Sequence, residues 1–233
     1  MHNLYANFVK ILDVCKRFSK NLVTEHGNMP RPGVVPKFSD LEVIALNLTA
    51  ENMSIDSESY LFALLEEYKG EMPNLISRRQ YNDRRKYTAE LCETIRKRIV
   101  EHLDGGEDIF IIDSKPVKVC QLSRGKRNRM GMKEPEKAPD FGYFESAHIQ
   151  LEVPYRLNQK NWKPFHKPFA KARKRVETDY SQFTDQFNIM RNYAKQHIGF
   201  FTRIISKVSA FTVSQYLNSI NNRPIGRIKY ALA

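Results

Sequence analysis

Apolar residues recur at helical spacing through most of the first hundred positions. Leu4, Phe8, Ile11, Leu12, Cys15 and Phe18 fall on one stripe, which predicts an amphipathic helix over roughly residues 4–23. The stretch HGNMPRPGVVP then breaks regular structure, with Gly27, Pro30, Pro32, Gly33 and Pro36 in eleven positions. Ser39 followed by Glu42 reads as a capping box opening the helix LEVIALNLTAENM. A further start at Ser57 opens SYLFALLEEYKG, which Gly70 ends. Beyond Pro73, SRRQYNDRRKYTAELCETIRKRIVEHL predicts one or two helices stopping before Gly105-Gly106, with Arg78, Arg79, Arg84, Arg85 and Lys86 crowded on the first half. A structural bundle and a helix-turn-helix DNA-binding module both fit this pattern.

The period changes after Gly106. Asp108-Ile-Phe-Ile-Ile-Asp113 is continuous, apolar and β-branched, as a strand buried on both faces would be, and 117–120 and 149–153 are strand-like too. Asp113 is either a turn former or a carboxylate presented at a sheet edge. Residues 121–139 have no hydrophobic period and read as a basic loop. The segment KARKRVETDYSQF, 171–183, contains no Pro or Gly and predicts one long helix running on through QFNIMRNYAKQ. On it Arg173, Glu177 and Ser181 stack at i, i+4 spacing, so a single carboxylate sits among cations. A solvated face laced with salt bridges has the same pattern; so does a metal-holding carboxylate beside phosphate-holding cations. A last amphipathic helix is predicted over about 200–220. The fold class expected is therefore α+β and α-rich, divided into a helical region 1–105 and a second domain 106–233.

Charge sharpens this picture. Of a net +12 over 233 residues, the stretch 115–176 holds 16 Lys and Arg against 5 Asp and Glu, an excess of 11. Concentrated positive charge of this kind is the footprint of a phosphate-backbone binder. Around 155–169 basic residues alternate with Tyr155, Trp162, Phe165 and Phe169, a composition suited to phosphates and to base stacking. Cys15, Cys92 and Cys120 are far apart with no C-x-x-C pair, which speaks against a disulfide framework or structural zinc and for a reducing cytosol. No apolar run approaches the length of a membrane span, and the N-terminus has no signal-peptide pattern.

Three blocks, IIDSKPV at 111–117, KARKRVETDYSQF at 171–183 and NNRPIGRIKYAL at 221–232, together resemble the Asp-Asp-Glu transposases of one group of bacterial insertion sequences, with LEVPYR, NQKNWKP and IMRNYAK between them in the family order. The resemblance implies an incomplete ribonuclease-H-like α/β domain with a small sheet after the helical region. It also implies strand cleavage and strand transfer on DNA in a bacterial cytoplasm, at the nucleoid. By position Asp113 becomes the first acid and Glu177 the third, both metal-holding, with Mg²⁺ or Mn²⁺ as the expected ion. Two such ions about 3.5–4 Å apart would activate the attacking oxygen and stabilise the leaving one. Lys115, Arg124, Lys126, Arg127 and Arg129 in the central stretch, with Arg173, Lys174 and Arg175 on the helix, form the DNA-facing set. The partners implied are element ends and target DNA, further copies of the chain, or an intact transposase.

The chain also departs from the family. Only residues 117–150 lie where family members carry a hairpin, a crossover helix and the strand bearing the second acid. A crossover alone needs about 10–12 residues or more, so an internal block is missing, with its junction at Tyr143-Phe144. Asp140, in Asp140-x-Gly-Tyr, mimics the setting of the second acid and is the weak candidate for it. Low or absent transposition is expected. A non-catalytic DNA-binding remnant, or an inhibitor of an intact transposase, is the alternative.

Overall fold

A computed structural model describes residues 3–106, 158, 160 and 167–232. Seven α-helices are seen among them: α1 (Leu4–Phe18), α2 (Asp40–Asn52), α3 (Glu58–Leu65), α4 (Arg78–Tyr87), α5 (Ala89–Leu103), α6 (Lys167–Asp185) and α7 (His197–Ile220). Short 3₁₀ turns follow at Glu66–Tyr68 and Ile228–Tyr230.

The helix starts are written locally. Asn3, Ser39, Ser57 and Ser77 accept an amide hydrogen bond from the third residue of the helix that follows each. At Ser39 and Ser77 the bond is returned by Glu42 and Gln80, completing capping boxes. Before α2, Gly27 has a φ of +76°, and an added Cβ would lie 3.3 Å from the Ser39 hydroxyl. Its carbonyl accepts from the Leu41 amide at 3.1 Å, which fastens the preceding loop over the helix start.

α2 is the centre of the molecule. All of its residues except Glu42 are buried, with α1, α4 and α7 packed around it. Leu41, Ile44, Leu48 and their neighbours join the stripe of α1 (Leu4, Phe8, Ile11, Cys15) in one core that extends to Ile95 and Ile99 of α5. The face towards α7 is polar. The Asn47 amide donates to the Ser206 hydroxyl, and Asn52 Nδ2 donates to the Ala210 carbonyl at 3.3 Å. Ser214 donates to Asn52 Oδ1, and Lys207 Nζ lies 2.7 Å from Glu51 Oε2. Small residues on α7, Ser206, Ala210 and Ser214, allow the two backbones to approach, and Asn47, Glu51 and Asn52 of α2 find partners across the seam.

Two expectations need correction. The expected α+β fold with a ribonuclease-H-like sheet is not what the described residues form, since they are helical with no strand among them. The runs at 108–113, 117–120 and 149–153 lie outside the described residues. The physical reason lies in α7, whose serines, lysine and apolar residues are spent on α2 and α5 of the N-terminal bundle rather than on a sheet. The second correction concerns α6, which does not run on through 186–196. It stops at Asp185, the Phe187 carbonyl accepts from Lys207 Nζ at 2.5 Å instead of from a helical amide, and Asn188 adopts a φ of +50°.

Candidate nucleic-acid interface

The C-terminal part of α6 is anchored on the bundle. Phe183 packs on Phe211 of α7 with ring centroids 4.6 Å apart, and Gln182 donates to the Gly226 carbonyl at 2.8 Å. One and two turns earlier, Arg173, Lys174, Arg175 and Glu177 are all exposed. Glu177 meets a cation, with Arg173 Nε 3.3 Å from its Oε1 across i, i+4 and side chains 71% and 61% exposed. Lys174 and Arg175 have no ion pair among the described residues. Asp179, half-buried on the same helix, has its carboxyl raised above the usual range by burial, opposed by the charge of Arg175.

The remaining candidates, Asp113, Asp140, Lys115, Arg124, Lys126, Arg127 and Arg129, lie outside the described residues. Among the described residues no three His, Cys, Asp or Glu side chains come together as a metal-holding group. Glu177 with its arginine partner does not by itself fit an Mg²⁺ ion, a hard cation that takes converging oxygens. No metal-dependent step is derived from it.

α4 resolves a cluster that the sequence showed as one. Arg84 turns inward to Asp40, Nη2 to Oδ1 at 2.6 Å, and also donates to the Phe38 carbonyl. Asp40 is fully buried and receives Arg31 and the Met29 amide at 2.9 Å as well. Arg85 reaches Glu58 at 2.9 Å. These two arginines hold α4 against α2 and α3 and are not available to a ligand. Arg78 and Arg79 at the helix start remain exposed, Arg78 bonding Ser59, and Lys86 makes only a long contact of 3.9 Å with Asp83. Two exposed cationic faces result, the start of α4 and the middle of α6.

Tyr60, Arg191 and Tyr193, none of them a candidate site residue in the sequence, line a shallow groove beside α3. Tyr60 lies in a helix read only for its caps, and the other two in a segment read as helix. Only the exposure of the rings marks them, and that is not visible in sequence. No helix among the described residues is long and apolar enough to cross a membrane. Compared with known proteins, the chain matches no family model, no curated protein and no solved structure.

Proposed function

We propose that the protein binds duplex DNA through the exposed cations of α6 and of the α4 start, as a derivative of an insertion-sequence transposase with little or no strand cleavage and transfer. The observation that carries this is the exposed run Arg173-Lys174-Arg175, displayed on a helix whose far end is pinned to the bundle by Phe183 and Gln182. Cations on a fixed helix track a phosphate backbone without first paying to order a loop. A concentrated excess of charge in 115–176 supports the same reading, and the ordered blocks at 111–117, 171–183 and 221–232 supply the transposase connection. Weak catalysis follows from the chain length between 117 and 150, too short for the strand that carries the family's second acid. In a cell holding an intact element, such a chain would occupy element ends or co-assemble with the active enzyme.

A mobility-shift assay with element-end duplex and scrambled duplex tests the binding. Affinity should fall steeply between about 50 and about 200 mM salt. Incubation of the same duplex with Mg²⁺ or Mn²⁺ should give little nicking. Efficient end cleavage abolished by Asp113→Ala would overturn the catalytic half of the proposal, and a salt-insensitive shift would overturn the phosphate-binding half.

A further inference from the structure

A second surface carries a different chemistry. Ser54 to Ser57, Tyr60, Arg191 and Tyr193 line a shallow groove of about 510 Å³ between the start of α3 and the segment that follows α6. That volume lies in the range of about 300–1,000 Å³ that takes small organic ligands. Tyr60 and Tyr193 are 57% and 51% exposed, in a bundle that buries most of its large side chains. The backbone of Tyr60 is fixed, and so is the ring of Tyr193. Tyr60 occupies the first turn of α3, where its amide donates to the Ser57 hydroxyl at 3.3 Å. The Arg203 guanidinium lies 5.7 Å from the Tyr193 ring centroid and is itself fixed by an ion pair to Asp56.

The electrostatics of the groove suit an anion. Asp56 in its wall is answered by Arg203 and, at 3.8 Å, by the buried Lys207, so its charge is already met. Arg191 is exposed and has no ion pair among the described residues. Two rings and an unpaired guanidinium around a space the size of one nucleotide make a stacking platform with a phosphate contact. A base inside a duplex has its faces covered by its neighbours, whereas an unpaired base offers both.

We infer that this groove takes an unpaired nucleotide of single-stranded DNA, its base against Tyr60 and Tyr193 and its phosphate on Arg191. The inference rests on the proposed DNA binding and adds to it a recognised strand form.

Fluorescence anisotropy of the full chain with a labelled oligothymidylate and with a duplex of equal length provides the test. Tyr60→Ala should weaken single-strand binding by roughly 5- to 100-fold, the loss expected for one stacked base, while Tyr60→Phe keeps it. Arg191→Gln should lower the single-strand salt slope by about 0.7, one phosphate contact. Tyr60 is exposed and makes no part of the Arg203–Asp56 pair, so an unchanged melting temperature confirms that the variant folds. Single-strand affinity untouched by Tyr60→Ala, with duplex binding intact, would overturn the groove and leave the duplex reading standing. Wild-type protein that binds neither form would overturn both.

Discussion

Replacing Glu177 with glutamine separates two roles for the most distinctive helix of this chain. In the structure Glu177 neutralises Arg173 across one turn at 3.3 Å, with both side chains mostly exposed. An exposed i, i+4 pair stabilises a helix by about 0.3–0.5 kcal/mol. Glu177→Gln should therefore lower the melting temperature by no more than about 2 °C, on the scale of about 2–4 °C per kcal/mol for a chain of this size. For DNA the change has the opposite sign. It removes one negative charge from the cationic face and frees Arg173 for a phosphate. Each phosphate contact adds about 0.9 to the slope of log affinity against log salt, about eightfold in affinity at about 0.1 M salt. Glu177→Gln should bind duplex several-fold more tightly in metal-free buffer, with the slope steeper by up to about 0.9. Converting Arg173, Lys174 and Arg175 together to glutamine should flatten the slope by about 2–3, up to about 0.9 for each cation. Anisotropy titrations of a labelled duplex at several salt concentrations read both numbers. Unchanged or weakened duplex affinity in Glu177→Gln, with a wild-type melting temperature, would refute the assignment of this face to phosphates.

Other consequences follow from the bundle itself. Lys207→Met leaves Glu51 buried without its cation and should cost about 3–5 kcal/mol in urea unfolding, whereas adding Glu51→Leu should recover most of that loss; equal loss in single and double variants would show that the pair does not couple. Burial pushes the Cys92 thiol up to about 11 and the Cys15 thiol higher still, so alkylation at pH 8 should reach these two sites only when the chain unfolds, as peptide mass mapping would read. The Glu93 carboxyl is held below its usual range by its bond to Arg96, so its folded pKa lies below its unfolded value. The stability it contributes is present above the unfolded value, about pH 4, and is lost as pH falls through the folded one. Partial exposure of both side chains keeps the effect under about 1 kcal/mol. Thermal melts between about pH 3 and 6 should show a shallower acid limb for Glu93→Gln.

Local signals in the sequence carried well, and signals that depend on tertiary partners did not. The capping pair Ser39 and Glu42, the start at Ser57 and the stop near Gly105 lie within a few residues of the bonds they make, so their geometry is readable in one dimension. Thr88 splits the stretch after Pro73 into α4 and α5, one of the two outcomes its pattern allowed. The end of α6 was not readable, because a lysine twenty residues away captures the Phe187 carbonyl. Nor was the division of the α4 arginines, since only the buried Asp40 and the position of Glu58 decide which of them turn inward. The polar seam of α2 was hidden for a related reason. Asn47, Glu51 and Asn52 look like an exposed face until α7 is placed against them. Of the candidate site, the sequence located the cations at 173–175 and their neighbour Glu177. Its i, i+4 spacing allowed both a salt bridge and a metal-holding carboxylate, and the described residues show the salt bridge to Arg173.

The placement of α7 joins distant parts of the chain in one bundle. Residues 197–220 come from the far side of the basic stretch, yet they supply the helix that packs on α2 and α5. The buried Lys207–Glu51 pair makes that attachment specific, because a lysine sealed in the core tolerates few alternative partners. Among the described residues, the helices packed on α2 thus lie either before residue 104 or after residue 196. Under the proposed function, DNA binding and strand transfer draw on different groups. The first would use the exposed cations of α4 and α6, the second an acid at position 113 together with Glu177.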